Sequence, residues 1–371
     1  MSAARRVAVV LPYLTAYRLP FLDRLRAELA AHSVELTVAH GNPTGLSAAR
    51  QSALSMPGAV PLGQRAFRVA GRELIWHGGL GELARRSDAL VLPQSLHHLR
   101  LYPLLATRPE RIGLWGHGRT HVSTHGRPEQ WAKAALTRRA GWFFAYTDAG
   151  RAYAEAAGLP RQRITVVRNS LDTAALTAAR DAVTEDEAAR LRRRYGLTQG
   201  RTGLYVGGLD ELKRIPFLLD AAARIAARVP GFKLLVAGDG EQRGLVEASP
   251  FAAYAGHVGV AEKARLGAVS DVMLVPGAVG LCAVDSFALR TPLVTTEWPY
   301  HGPEFGYLTH GRNALVARDE TYADQVAELL TRPRLLSGLR RACRCDAGHY
   351  TVEGMATRFA EGIEGLLTHG T

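Results

Sequence analysis

The sequence predicts an α/β protein built from two serial units, each a parallel sheet covered by helices. Three observations carry this reading. At 371 residues the chain exceeds what one hydrophobic core usually organises, so two domains are expected. Short apolar runs alternate with stretches of helical periodicity in both halves, the βαβ rhythm of sheets whose central strands are buried on both faces. Between the halves, from 172 to about 198, the chain turns rich in alanine, arginine and glutamate. We place the domains at 1–183 and 184–349, with a closing helical segment over 350–371.

In the first half, "RRVAVVLPYL" reads as a core strand and "LPFLDRLRAELAAH" as a helix, followed by the strand-like "VELTVAH". The rhythm continues through "DALVLPQ", a helical stretch near "HHLRLYPLLA", and "RIGLWGHG". It then runs through "GWFFAYT", a helix over "DAGRAYAEAAG", and "RITVVRNS". "EDEAARLRRRYGL" is a solvated helix leading out. The second series opens with the strand "TGLYVGGL" and the helix "IPFLLDAAARIAARVP", stopped by proline. "FKLLVAGDGEQ" is a strand with an Asp-Gly turn, and "YAGHV", "VSDVMLVPG" and "TPLVTTE" are shorter strands. Helices over "YADQVAELLTRPRLLSGLRRACR" and the amphipathic "TVEGMATRFAEGIEGLL" close the chain. Strand C-termini of each unit are expected to line a shared cleft, since loops at that edge hold ligands.

The formal net charge is +12. That excess suits an anionic partner such as a phosphorylated ligand, nucleic acid or acidic bilayer, or it is simply a basic surface. The arginines are scattered, and neither zinc-finger spacing nor a single-stranded-RNA motif is present, so no nucleic-acid partner is expected. Cys282, Cys343 and Cys345 make no disulfide framework and fit a reducing compartment. The N-terminal apolar run is broken by Tyr13, Tyr17 and Arg18 and reads as a strand rather than a signal peptide. No apolar segment has membrane-spanning length. A cytoplasmic location follows, with room for peripheral contact at the inner membrane face.

Four stretches bear chemistry. In "YVGGLDELKRIP" a strand delivers Gly207 and Gly208 to a turn, with Lys213 and Arg214 at the next helix start. Helix-start N–H groups and a lysine suit a phosphate, and a plain strand-to-helix turn with a solvated basic pair explains the pattern too. The frame is neither a P-loop nor a dinucleotide fingerprint. In "FKLLVAGDGEQ", Gly238, Asp239 and Gly240 make a tight strand exit that structure alone explains. "PGAVGLCAVDSFALRTP" follows a strand with a turn through Gly277 and Gly280, then a greasy helix bearing Asp285. The acid either satisfies orphan N–H groups or accepts from vicinal hydroxyls such as a ribose. "EWPYHGPEF" gathers Trp298, Tyr300, His301 and Glu304 in a loop suited to a sugar or base, or to packing as a plug. His301 and Glu304 lack a third partner at ligand spacing, so no metal site is expected. In the first half, "LWGHGR" exposes His117 and Arg119 between glycines, and Thr147 with Asp148 reads as a helix cap. "RNSLD" puts Arg168, Asn169 and Asp172 near the domain boundary, and Cys282 reads as buried filler.

Taken in order, "LPYLTAYRLPFLDRL", "VVRNSLD", "YVGGLDELKR", "LLVAGDGEQ", "PGAVGLCAVDSFALRTPLVTTE" and "HGRNALVARD" make the chain resemble the retaining, nucleotide-sugar-dependent glycosyltransferases of family 4. The resemblance spans nearly the whole chain. It implies the GT-B fold, two Rossmann-like domains facing each other across a cleft, with the first on the acceptor side and the closing helix packed back on it. It implies that Lys213 contacts the donor pyrophosphate, that Asp285 holds the ribose, and that Gly277, Val279, Gly280 and Leu281 lie along sugar and phosphates. Gly207 and Gly208 would border the same donor, and His117 would touch the donor sugar. Two departures stand out. The customary phosphate arginine of the strand exit is absent at Gly207-Gly208-Leu209, with Arg214 as the substitute. The family's paired glutamates fall on Gly277 and Asp285, so the first acid is missing, and Glu304 is the replacement polar contact.

The implied activity is glycosyl transfer from a UDP-, GDP- or dTDP-sugar to a hydroxyl, with no further cofactor. A lipid-linked glycan and a small metabolite both fit as acceptor. The rivals are a non-catalytic nucleotide-sugar-binding or scaffold protein of the same fold, and a sugar-nucleotide epimerase or phosphorylase.

Overall fold

The computed structural model describes residues 4–43, 54–69, 72–119 and 127–369. Contacts divide the chain into unit 1, Met1–Asn169 with Val352–Thr371, and unit 2, Ser170–Thr351.

Unit 1 contains β1 (Arg5–Leu11), β2 (Val34–His40), β3 (Val60–Pro61), an antiparallel hairpin of β4 (Gln64–Val69) and β5 (Arg72–His77), then β6 (Ala89–Pro93), β7 (Ile112–Gly116), β8 (Trp142–Ala145) and β9 (Ile164–Val166). Seven of these form one sheet in the order β3-β2-β1-β6-β7-β8-β9, with every pair parallel. The unbroken apolar run of β1 is explained by burial on both faces. Val7, Val9 and Leu11 join Phe21, Leu25 and Phe359 on one side, while Ala8 and Val10 join Leu90, Leu105 and Phe143 on the other. The last helix, Val352–His369, covers the first of these faces with Met355, Phe359, Ile363 and Leu366, spaced as one helical stripe.

Unit 2 contains β10 (Thr202–Val206), β11 (Lys233–Ala237), β12 (Ala252–Gly256), β13 (Val272–Leu274), β14 (Leu293–Thr296) and β15 (Ala314–Ala317). They pair in parallel in the order β12-β11-β10-β13-β14-β15, around one core. The sheet grows outward from β10 first one way, then from β13 the other. Loops after those two strands therefore flank a topological switch point, where open α/β sheets hold ligands.

The helix Thr173–Asp181, assigned to the first domain from sequence, packs within unit 2. Leu176 enters that core, and Arg180 donates to the Leu289 carbonyl at 2.6 Å. The following helix, Glu185–Tyr195, is the solvated one expected, closed by a Thr184/Glu187 capping box and a left-handed Gly196. Among the described residues no helix is long and apolar enough to cross a membrane.

Candidate active site

The exit of β10 is held rigid from below. The buried Tyr205 hydroxyl donates to the Gly208 carbonyl at 2.5 Å, and Leu209 exchanges backbone bonds with the 239–242 turn after β11. A Cβ at Gly238 would sit 1.8 Å from the Gly207 carbonyl oxygen, and φ there is 142°, so only glycine lets the two strand exits touch. The chain then makes one tight turn, Glu211–Lys213, and passes through Arg214 in the left-handed conformation at φ 57°.

That turn sends its two cations apart. Lys213 Nζ donates to the Ala278 carbonyl at 2.5 Å, across to the loop after β13. Arg214 goes the other way. Its guanidinium grips Asp319 through two bonds of 2.9 and 2.5 Å and donates to Thr296 Oγ1 at 3.1 Å. It also lies between the rings of Phe217 and Trp298, 4.2 and 4.5 Å from their centroids. The pair holds the Asp319 carboxyl below its ordinary range, chiefly through the Arg214 hydrogen bonds. Arg214 thus packs the β10 turn against the Asp319 loop, whereas the sequence offered it as the substitute for the missing phosphate arginine. Only Lys213 of this pair remains on the loop side of the switch point.

The 276–281 turn is locked from two sides. Ala278 N–H donates to the Leu212 carbonyl at 2.9 Å. A Cβ on Gly277 would come within 2.4 Å of the Leu212 oxygen and 2.6 Å of the Lys213 carbonyl carbon. The position that carries the first family glutamate therefore has no space for any side chain here. On the other side, Val279 N–H donates to His301 Nδ1 at 3.1 Å, and Gly302 N–H donates to the Val279 carbonyl at 2.7 Å. His301 Nε2 meets the Thr296 carbonyl at 2.9 Å, which can only accept, so the network assigns the proton to Nε2. Burial lowers the His301 pKa, with Lys213 adding to the effect, and its ring stacks on Phe305 at 4.1 Å. His301 is a neutral bridge between loops; the aromatic loop is in this respect a packed plug.

Asp285 lies buried in the first turns of the helix Cys282–Leu289, and both its oxygens accept from Lys263 Nζ, at 2.9 and 3.0 Å. Lys263 escaped the sequence reading because the helix Val260–Ala268 carries no motif, only one lysine turned inward. Glu304 is also buried, and its Oε2 lies 3.9 Å from the point where a Cβ on Gly280 would stand and 3.3 Å from that of Gly302. Burial raises the Cys282 thiol pKa; Lys213 opposes, while Asp285 and Glu304 add to it. Lys213, the 277–281 turn, Asp285 and Glu304 share one neighbourhood at the β10/β13 switch point.

His117 belongs to unit 1. It follows β7, is exposed, and its ring meets Tyr146 edge-on at 4.4 Å. Arg119 beside it is exposed. Thr147 stands in the N-cap position of Asp148–Ala156, yet makes no cap hydrogen bond, and its buried hydroxyl has no hydrogen-bond partner in the protein. The capping reading of Thr147 is corrected accordingly. Asp172 does cap its helix, accepting from Ala175 N–H at 2.9 Å. Among the described residues, no three His, Cys, Asp or Glu side chains gather as metal ligands.

Residues 200–332 match the family model of glycosyl transferases group 1. Solved structures share the fold over nearly the full length. Sucrose-phosphate synthase from Thermosynechococcus elongatus matches with a TM-score of 0.70 at 14% identity, over 96% of this chain and 98% of that one. Anabaena HepE in complex with UDP matches with a TM-score of 0.65 at 15% identity, over 97% and 99%. The chain has the GT-B fold. The residues matched by the family model lie within the second unit, as do the 207–214 and 276–292 segments. Among curated proteins, the α-D-kanosaminyltransferase of Streptomyces kanamyceticus is 26% identical over 249 residues. The alignment spans 62% of this GT-B chain and 62% of that relative.

Proposed function

We propose that this GT-B protein transfers a glycosyl group from a nucleoside diphosphate sugar to a hydroxyl acceptor, with retention at the anomeric carbon as the family resemblance implies. The observation that carries the reading is the convergence of Lys213, the 277–281 turn, Asp285 and Glu304 at the switch point of unit 2. HepE, of the same fold, is known in complex with UDP and with UDP-glucose, which makes UDP-sugars the first donors to test.

In this reading Lys213 and the N–H groups opening the helix Cys282–Leu289 receive the charge that develops on the departing pyrophosphate. Lys213 already donates to a neutral carbonyl, a contact a phosphate oxygen replaces with a stronger, charge-assisted one. Asp285 accepts from the ribose hydroxyls. Its ion pair with Lys263 leaves lone pairs free, since a carboxylate offers about four acceptor sites. Glu304, set against Gly280, supplies the polar contact to the sugar that position 277 has no room to supply. His117 is the residue the family resemblance assigns to the donor sugar, and exclusion of water protects the reacting carbon. The acceptor is a lipid-linked glycan or a small metabolite.

The missing carboxylate at 277 specifically favours one rival, a donor-binding protein without turnover. Thermal shift with a panel of UDP-, GDP- and dTDP-sugars, followed by mass spectrometry of products, separates the two. A cognate donor at 100 times its Kd should stabilise the protein by about 2.7 kcal/mol, and Lys213→Ala should remove most of that shift. Binding with neither hydrolysis nor transfer selects the rival. No shift and no consumption with any donor overturns both.

A further inference from the structure

Unit 1 holds a cavity of about 160 Å³ lined by residues at the ends of four strands, among them Tyr13, Thr15, Arg18, Trp115 and Tyr146. That is well beyond the roughly 10–15 Å³ one water requires. Arg18 is 6% exposed, and no carboxylate pairs with it among the described residues. Its guanidinium donates to Asn169 Oδ1 at 2.6 Å, more distantly to the Tyr146 hydroxyl at 3.4 Å and to Met355 sulfur at 3.9 Å, and lies 4.7 Å from the Trp115 ring centroid. Those partners are neutral. Arginine stays protonated under all ordinary conditions, so the cavity wall carries a permanent, poorly compensated positive charge. Two more polar atoms on lining residues, Thr15 Oγ1 and Trp115 Nε1, are buried with no hydrogen-bond partner in the protein. Buried donors without partners are costly and mark places where a ligand or water completes the bonding.

We infer that this cavity binds an oxyanion, a carboxylate or a phosphate, borne by the acceptor. Arg18 supplies the charge, Thr15 and Trp115 the directional donors, and Tyr13, Tyr17 and Tyr146 the flat walls beside which the rest of the acceptor lies. Only the word acceptor rests on the transferase reading; the anion site stands on unit 1 alone. Aspartate and glutamate are absent from the lining, so the site rejects a cationic acceptor and favours an anionic one over its neutral counterpart.

The test is calorimetric titration of the full chain, without nucleotide and at constant ionic strength in chloride. The probes are inorganic phosphate, 4-hydroxyphenylacetate and the neutral 4-hydroxyphenylacetamide. We expect saturable binding of at least one anion and at least about tenfold weaker binding of the amide, the equivalent of one lost charged hydrogen bond. Arg18→Lys, which keeps a cation but loses the fork, should weaken the anion about tenfold, and Thr15→Val and Trp115→Phe several-fold each. Tighter phosphate identifies a phosphorylated acceptor, and tighter carboxylate an acid; either supports the site. Absence of anion binding, equal binding of the amide, or affinity unchanged by the substitutions overturns it. If Arg18→Lys does not fold, the other two variants decide alone. Failure here with a positive donor shift refutes the anion site and leaves the transferase reading intact, and the reverse result does the opposite.

Discussion

At Gly277 the backbone of the Lys213 turn stands where a side chain would go, and this one contact reorganises the chemistry of the neighbourhood. Gly277→Ala should destabilise unit 2 by about 1–3 kcal/mol, the usual cost of forcing a methyl into occupied space. Gly244→Ala is the control: nothing lies within 4 Å of its Cβ position, so stability should stay level or rise. Denaturant midpoints of the two variants check the contrast. Restoring the family acid with Gly277→Glu should lower activity rather than raise it. Glu304→Gln keeps shape and loses charge, so transfer should fall roughly 10²–10³-fold while donor affinity changes little, if the carboxylate acts on the developing sugar cation. Steady-state kcat against donor Kd reads the split. The sequence singled out Lys213 and Asp285 as members of contiguous segments following β10 and β13, and their roles toward a donor come from the family resemblance. The divergence of Lys213 from Arg214 was not legible, because a single left-handed residue decides where adjacent side chains go. Nor was the Lys263–Asp285 pair, which joins two helices with no sequence signal between them.

Among elements, the closing helix shows how a local rule yields to packing. Glycine in a helix interior ordinarily costs about 1 kcal/mol relative to alanine, so Gly362→Ala and Gly365→Ala should stabilise an isolated segment. Here a Cβ on Gly365 would stand 2.2 Å from the Trp142 ring, and one on Gly362 2.6 Å from Phe144 and from Thr165 Oγ1. Both rings are fixed by the sheet, so each substitution should instead destabilise unit 1 by about 1–3 kcal/mol. Circular dichroism of the variants during thermal unfolding tests the sign. Core strands of both main sheets were readable as apolar runs, except β15, whose four residues Ala314–Ala317 the sequence reading did not single out as a strand. The β4–β5 hairpin was not, because Phe67, Val69 and Trp76 are all substantially exposed, leaving no buried face to impose a period. β3, two residues long, offers too little pattern to detect.

For the whole molecule, charge and buried histidines act on stability in the same direction as pH falls. The chain carries +12 before any of its 13 histidines titrates, so acidification adds self-repulsion. A sharper contribution comes from unit 1, where His98 is buried with its ring 5.1 Å from that of His77. Burial, then repulsion from His77 and His97, lowers the His98 pKa to about 4, and burial also lowers that of His77. In the unfolded chain His98 titrates near its ordinary 6.5. Between those values the unfolded state binds a proton that the folded state refuses, so the contribution is complete above pH 6.5 and lost as pH falls toward 4. A separation of that size corresponds to roughly 3 kcal/mol. His98→Gln removes the titration and leaves the general repulsion untouched. Denaturation profiles of the two proteins should therefore converge on acidification, the native protein losing roughly 3 kcal/mol more than the variant between pH 6.5 and 4. Parallel profiles across that window would mean that His98 is protonated in place, its burial relieved by movement of the β5 segment.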